Sequence, residues 1–188
     1  VAQKIENARE TLMASGKKFL MNNKDGRFGK FNVRSLTAEC SMASGTFYHY
    51  FESKDDFVIQ IMEDDWSKVI TAIDHAADMN SSLREKVENI YKSISSFGID
   101  YRYSALGLIS PTEKNMDKRK KSEDKMYAHI QLFLMREIEL GEIELAANVE
   151  SASYFLVQLF LAAVRKPEMS FDQLWKCMNF RDKSSCSV

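Results

Sequence analysis

Two prolines, Pro111 and Pro167, and seven glycines are all the backbone punctuation in 188 residues. A chain with so few breakers cannot make the frequent turns of an all-β fold, and its many Leu, Met, Glu and Lys residues favour helix. Apolar residues recur at the matching period. Ile5, Ala8, Leu12 and Phe19 predict an amphipathic helix over 2–22. The polar, glycine-containing stretch 22–30 reads as a loop. Asn32 can cap a short helix running through Cys40, and Ser41-Met42-Ala43 joins it to a second short helix over 44–51. Ser53 can cap a long fourth helix, with Asp55 and Asp56 complementing its positive end. That helix carries a stripe of Ile59, Met62, Trp66, Val69, Ile73 and Ala77. A fifth begins at Leu83 and reaches Tyr101. The charged segment 117–125 leads into another stripe, Met126 to Ile138, with Gly141 as its stop. A helix over 145–165 ends at Pro167, and Phe171, Leu174, Trp175 and Met178 form one face of a last helix. Residues 183–188 read as a frayed tail. No stretch alternates as a strand does, so the expected fold class is all-α.

The formal charge of −1 excludes a uniformly basic coat for nucleic acid, but it hides an uneven distribution. Residues 1–54 hold nine Lys/Arg and five Asp/Glu, a net of +4, and the remainder carries −5. A basic N-terminal third and an acidic body suggest two jobs. The apolar run at 154–164 is far short of the ~20 residues that cross a bilayer, and the N-terminus lacks the apolar core of a secretion signal. Three widely spaced cysteines favour reduced thiols over a disulfide framework. The expected location is therefore cytoplasmic.

Two short helices joined by a three-residue turn, with another helix beneath, form the helix-turn-helix pattern, in which the second helix presents its N-terminal side chains to base edges in the major groove. The residues sharpen it. Gly45-Thr46-Phe47-Tyr48-His49-Tyr50-Phe51, followed by Ser53-Lys54 at the start of a long helix, closely resembles the DNA-binding signature of the TetR family of bacterial transcriptional regulators. The stretch that carries the resemblance is 32–54, and the all-helical layout extends it loosely over the whole chain.

The resemblance implies DNA-contacting roles for Asn32, Arg34, Ser44, Thr46, Tyr48, His49 and Lys54. Arg34 can pair with guanine or grip phosphate. Ser44, Thr46 and His49 would meet the groove or its rim, while Tyr48 and Lys54 match phosphate-contacting positions that orient without reading sequence. Val33, Leu36, Cys40, Met42, Phe47 and Phe51 would form the small domain's core. Two positions depart from the family pattern. Ser41 stands where glycine is usual, and Ala43 stands where a serine normally caps the recognition helix. The loop at 22–30 is longer than usual, and its Lys24, Arg27 and Lys30 would add backbone contacts.

The expected division is a DNA-binding domain over 1–54, a ligand-binding and dimerisation domain over 55–182, and the tail. The helix over 145–165 is apolar nearly all round, so it must be covered on more than one side. The resemblance implies a homodimer made through this helix and the last one, with Phe155, Leu161, Leu174 and Trp175 in the interface. It also implies a small-molecule effector in the larger domain, where Trp66, Tyr91, Phe97, Tyr101 and Tyr127 are candidate pocket residues. An aromatic residue at helical spacing is more often core than ligand contact, and both readings stand for these five.

An enzyme finds little support. His75 and His129 have no second ligand at metal-binding spacing, and Gly26-Arg27-Phe28-Gly29-Lys30 lacks the spacing of a phosphate-binding loop. Nothing calls for a cofactor or a metal. The sequence thus reads as a regulator that binds operator DNA and leaves it on binding an effector, more often a repressor by family resemblance. The alternative is a helical ligand-binding or protein-interaction adaptor whose DNA-binding head has lost its function, for which Ser41 and Ala43 are the motive.

Overall fold

The computed structural model describes residues 7–22, 32–101, 109–164, 166, 168–178 and 180, the side chains of residues 22 and 99–101 excepted. They form eight helices and no strand: α1 (Ala8–Asn22), α2 (Val33–Glu39), α3 (Ser44–Tyr50), α4 (Lys54–Asp78), α5 (Leu83–Tyr101), α6 (Glu113–Glu139), α7 (Val149–Val164) and α8 (Phe171–Met178). The all-α expectation agrees with this architecture. Ile5 and the loop residues Lys24, Arg27 and Lys30 lie outside the described residues.

Local chemistry explains several helix ends. Asn32 is extended at φ −133° and its Oδ1 accepts the Ser35 N–H at 2.7 Å, which satisfies one orphan donor of α2. Ser53 does the same for α4, its Oγ accepting the Asp56 N–H at 3.0 Å. Gly141 stops α6 at φ 74°, a conformation that costs glycine little.

One boundary differs from expectation, and one segment left open between helix and loop is helical. The helix expected from residue 145 starts at Val149, because Asn148 Oδ1 accepts the Ser151 N–H at 2.8 Å and fixes the cap there. The charged segment 117–125 is helical throughout and belongs to α6, which begins at Glu113. Its solvent-facing residues carry no apolar stripe, so periodicity alone could not reveal it.

The described chain forms two compact units. The first comprises Val1–Asp65 and Asp100–Lys120, and the second Trp66–Ile99 and Lys121–Val188. The boundary falls inside α4, α5 and α6, so the first unit is larger than a head ending at Lys54.

In the first unit α1, α2 and α3 pack on one another. Leu12, Leu20, Leu36, Phe47, Phe51, Phe57, Val58 and Ile61 are buried there. Phe47 lies with its ring centroid 5.1 Å from Phe51 and 5.1 Å from Phe57, and Phe51 lies 4.7 Å from Phe57. Such offset and edge-on contacts add to the burial of apolar area. Of the expected head core, Leu36, Phe47 and Phe51 are buried, whereas Val33, Cys40 and Met42 are half-buried.

The second unit has its own core, in which Trp66, Val69, Ile73, Val87, Ile90, Ile94, Met126, Ile130, Phe133, Leu134, Leu156 and Phe160 pack together. Each helix contributes one stripe, as the 3.6-residue period requires. Outside the core, His129 Nδ1 lies 2.6 Å from Asp74 Oδ1 and Arg136 donates to Asp78 Oδ1 at 2.6 Å, both between α6 and α4. Exposed pairs of this kind contribute little to stability.

Candidate nucleic-acid interface

The turn between α2 and α3 is built from backbone and hydroxyl bonds. Thr37, buried, donates from Oγ1 to the Val33 carbonyl at 2.9 Å and lies 3.5 Å from Ser44 Oγ, so one hydroxyl pins both motif helices. The Met42 N–H donates to the Thr37 carbonyl at 2.7 Å and the Ser41 N–H to the Ala38 carbonyl at 3.0 Å. Ser41 takes φ 54°, the left-handed conformation that suits glycine. Ala43 is the N-cap of α3, extended at φ −76° and ψ 148°, and provides no side-chain acceptor. Both departures from the family pattern thus sit where glycine and serine would each relieve a definable cost.

α3 divides cleanly into two faces. Phe47 is fully buried, whereas Tyr48 beside it is 60% exposed and His49 and Tyr50 are also exposed. Tyr48 meets the edge of Phe47 at 5.2 Å, and His49 meets Tyr50 edge-on at 4.9 Å. Gly45 is exposed, and a Cβ built on it would meet no atom within 4 Å. Of the DNA-contacting candidates, Asn32, Arg34, Tyr48 and His49 are exposed, while Ser44, Thr46 and Lys54 are half-buried. Asn32 and Arg34 flank the start of α2, and Ser44, Thr46, Tyr48 and His49 belong to α3. Lys54 opens α4. Asn32 spends its side-chain oxygen on the helix cap, which leaves its NH₂ group for an outside acceptor. Gly45 and Tyr50 are exposed on α3 beside these candidates.

Of the aromatic candidates, Trp66, Tyr91, Phe97 and Tyr127 belong to the second unit and Tyr101 to the first. Trp66 is buried and its indole N–H donates to the Ser122 carbonyl at 2.6 Å, while Phe97 packs against it at 4.1 Å. Tyr91 sits between Phe160 at 5.2 Å and Phe171 at 5.4 Å. Tyr127 stacks on Tyr154 at 5.8 Å and its hydroxyl accepts from Gln158 Nε2 at 3.1 Å. Burial pushes the Tyr127 phenol above its ordinary pKa, against the lowering effect of the Gln158 bond. Tyr101 is the last residue of α5, and its side chain lies outside those described. Trp66, Tyr91 and Phe97 therefore serve the unit's own packing.

Apolar surface accumulates instead on α7 and α8. Phe155 is 70% exposed, and an open groove of about 600 Å³ is lined by Ala147, Phe155, Leu159, Cys177, Met178 and Phe180, among others. Leu161 and Trp175 are half-buried. Leu174 is fully buried within the chain, so it is a core residue and presents nothing outward. Among the described residues no group of His, Cys, Asp and Glu could hold a metal ion, and no helix is long and apolar enough to cross a membrane.

A pinned helix-turn-helix with a polar, exposed second helix, set in an eight-helix chain, defines a DNA-binding regulator of the all-α class. Residues 28–61 match the family model described as bacterial regulatory proteins, tetR family. Those residues carry the DNA-binding domain of that family, and the fold of the chain is one that TetR-family proteins of known structure share. The reduced form of NemR from E. coli superposes with a TM-score of 0.70 at 18% identity, covering 90% of this chain and 92% of that one. FadR from Bacillus subtilis, solved in complex with stearoyl-CoA, gives 0.69 at 15% identity, covering 90% and 95%. The superantigen PfiT gives 0.72 at 18% identity, covering 95% and 99%. At such identities the likeness is one of fold. No curated protein sequence matches the chain.

Proposed function

We propose that the chain is a repressor that binds operator DNA as a homodimer and is released by a small-molecule effector. The observation that carries this reading is the division of α3: Phe47 anchors the helix in the head while Tyr48 and His49 are exposed to solvent. Asn32 at the cap of α2, Arg34 on α2, Ser44 and Thr46 on α3 and Lys54 on α4 complete the DNA-contacting set. Arg34 reads or grips, Tyr48 and Lys54 hold phosphate, and the α3 residues address base edges. The +4 charge of residues 1–54 favours approach to DNA, and the protein works in the cytoplasm, where its operator lies.

A second copy covers the apolar surface of α7 and α8, with Phe155, Leu161 and Trp175 at the contact. Two-fold pairing places two heads on half-sites a helical turn or a multiple of it apart. The effector binds the 55–182 part of the chain and lowers the population of the DNA-competent form. Tyr127, with its hydroxyl joined to Gln158 near the surface, is the polar anchor best placed among the aromatic candidates. FadR, a similar fold, was solved with stearoyl-CoA, which supports an organic effector as the class without identifying one here.

The test is selection of duplex DNA by the wild-type protein, followed by Arg34→Ala and Tyr48→Ala. Salt-dependent, sequence-selective binding is expected in the wild type. Tyr48→Ala should weaken all duplexes about equally, whereas Arg34→Ala should change the preference among them if it reads a base. Absence of selective binding by the wild type rejects the reading in favour of an adaptor with an idle head.

A further inference from the structure

The corner at which α3 gives way to α4 is held by residues far away in the chain. Asp56, buried, uses both carboxylate oxygens: Oδ2 accepts the Glu52 N–H at 3.1 Å and Gln60 Nε2 at 2.9 Å, while Oδ1 accepts Lys118 Nζ at 2.6 Å. Asp55 Oδ2 accepts the Ser110 N–H at 3.0 Å and Asn115 Nδ2 at 3.1 Å. Asn115 Nδ2 also donates to the Ser110 carbonyl at 3.0 Å, so one amide joins Asp55 to Ser110. Lys114 Nζ donates to Glu52 Oε2 at 2.6 Å on the surface. All of these residues belong to the first unit.

We propose that Lys118 and Asn115 are positioning residues for DNA binding: through Asp56 and Asp55 they hold the corner 51–54 and thereby set the direction of α3 and the place of Lys54. The inference rests on the DNA-binding reading of α3. Its physical basis is that only Phe51, Glu52 and Ser53 separate α3 from α4, so the bonds made at this link set the angle between the two helices. The Glu52 N–H, the Asp56 carboxylate and the Lys118 ammonium form one continuous chain of charge-assisted bonds across that link. A buried carboxylate holds a direction only while its partners are in place, because losing one leaves it desolvated and unpaired. A head that must place α3 in a groove loses affinity when its direction is loosened, even if no contact to DNA is removed. Lys118 and Asn115 lie beyond the segment 28–61 that carries the family match, so the head's geometry depends on a part of α6 that its own motif does not contain.

The experiment uses the full chain and its selected duplex, with Lys118→Met, Lys118→Arg and Asn115→Ala. Lys118→Met and Asn115→Ala are expected to weaken binding about tenfold, on the scale of one charge-assisted hydrogen bond, with the salt slope unchanged. In the DNA-free protein, amide exchange at Glu52 should accelerate in Lys118→Met, and Lys118→Arg should restore both readouts. A salt slope smaller by about one in Lys118→Met, with Glu52 exchange unchanged, would instead make Lys118 a phosphate contact and overturn the inference. Unaltered affinity overturns it as well. Asn115→Ala removes no charge and keeps the test alive if Lys118→Met does not fold. Failure of the wild type to select any duplex rejects the regulator reading separately; unchanged Glu52 exchange then rejects the tether without reference to DNA.

Discussion

Lys86 Nζ donates to Glu137 Oε1 at 2.8 Å inside the apolar core of the second unit, and Glu137 Oε2, equally buried, has no donor within reach among the described residues. The pair joins α5 to α6 with both side chains almost wholly withdrawn from water. Desolvating two charges offsets most of their attraction, whereas removing one partner leaves the other stranded. Glu137→Ala should therefore destabilise the protein by about 3–5 kcal/mol, while Lys86→Met combined with Glu137→Leu should be neutral or stabilising. Guanidinium midpoints of the single and double variants decide between these outcomes.

Ser41 and Ala43 make the turn of the reading head less stable than it can be. Glycine at 41 removes the cost of φ 54°, with a net gain of up to about 1 kcal/mol after its greater unfolded-state entropy. Serine at 43 supplies the missing cap acceptor, worth about 1 kcal/mol. Ser41→Gly and Ala43→Ser should each raise the thermal midpoint. Because both changes touch neighbouring residues, their effects need not add.

Gly16 and Gly45 respond oppositely to alanine. A Cβ at Gly16 would lie 2.3 Å from Phe57 Cζ and 2.9 Å from Ile61 Cδ1, and the Phe57 ring is fully buried. Gly16→Ala should cost about 1–3 kcal/mol by overpacking. Gly45→Ala meets open space within a helix and should stabilise the free protein by up to about 1 kcal/mol. If α3 enters a groove, the same methyl stands on the contacting face and lowers DNA affinity. A variant that melts higher and binds more weakly is the expected result.

Asp56 also predicts behaviour in acid. Burial raises its pKa, but the bonds from Lys118, the Glu52 N–H and Gln60 outweigh that and hold it below the usual 3.8. Its stabilising effect is therefore complete above the unfolded value and is lost as pH falls through the depressed folded value. Lys118 is raised above 10.5, first by the Asp56 bond, so its part is kept below that pH and lost above the raised value. Asp56→Asn should flatten the fall in stability below about pH 4 and leave the slope near neutrality unchanged. Urea titrations at stepped pH test this.

The caps at Asn32 and Ser53 and the break at 41–43 were legible because each depends on residues within one helical turn. The same holds for the α3 pattern, where Phe47 and Phe51 point one way and Tyr48 and His49 the other. The N-terminal half of α6 was not, since most of its residues are charged and exposed and leave no apolar period to detect. Nor were the ties from Lys118 and Asn115 to Asp56 and Asp55, which join positions some sixty residues apart. Trp66 and Phe97 were open to a core or a pocket reading in one dimension, and in three they pack on each other. Leu174 belongs to the last helix as expected, but its side chain turns inward.

Both tryptophans, Trp66 and Trp175, belong to the second unit, and the first has none. Trp66 is locked by its bond to the Ser122 carbonyl, and Trp175 is half-buried beside Phe171 and Phe180. Indole emission is consequently a private signal of the second unit, blue-shifted while Trp66 stays dry and red-shifted when its surroundings open. The reading head is silent at those wavelengths, so unfolding confined to it will pass unseen by tryptophan and appear only in the helical circular dichroism. A lag between the two signals measures how far the units unfold independently.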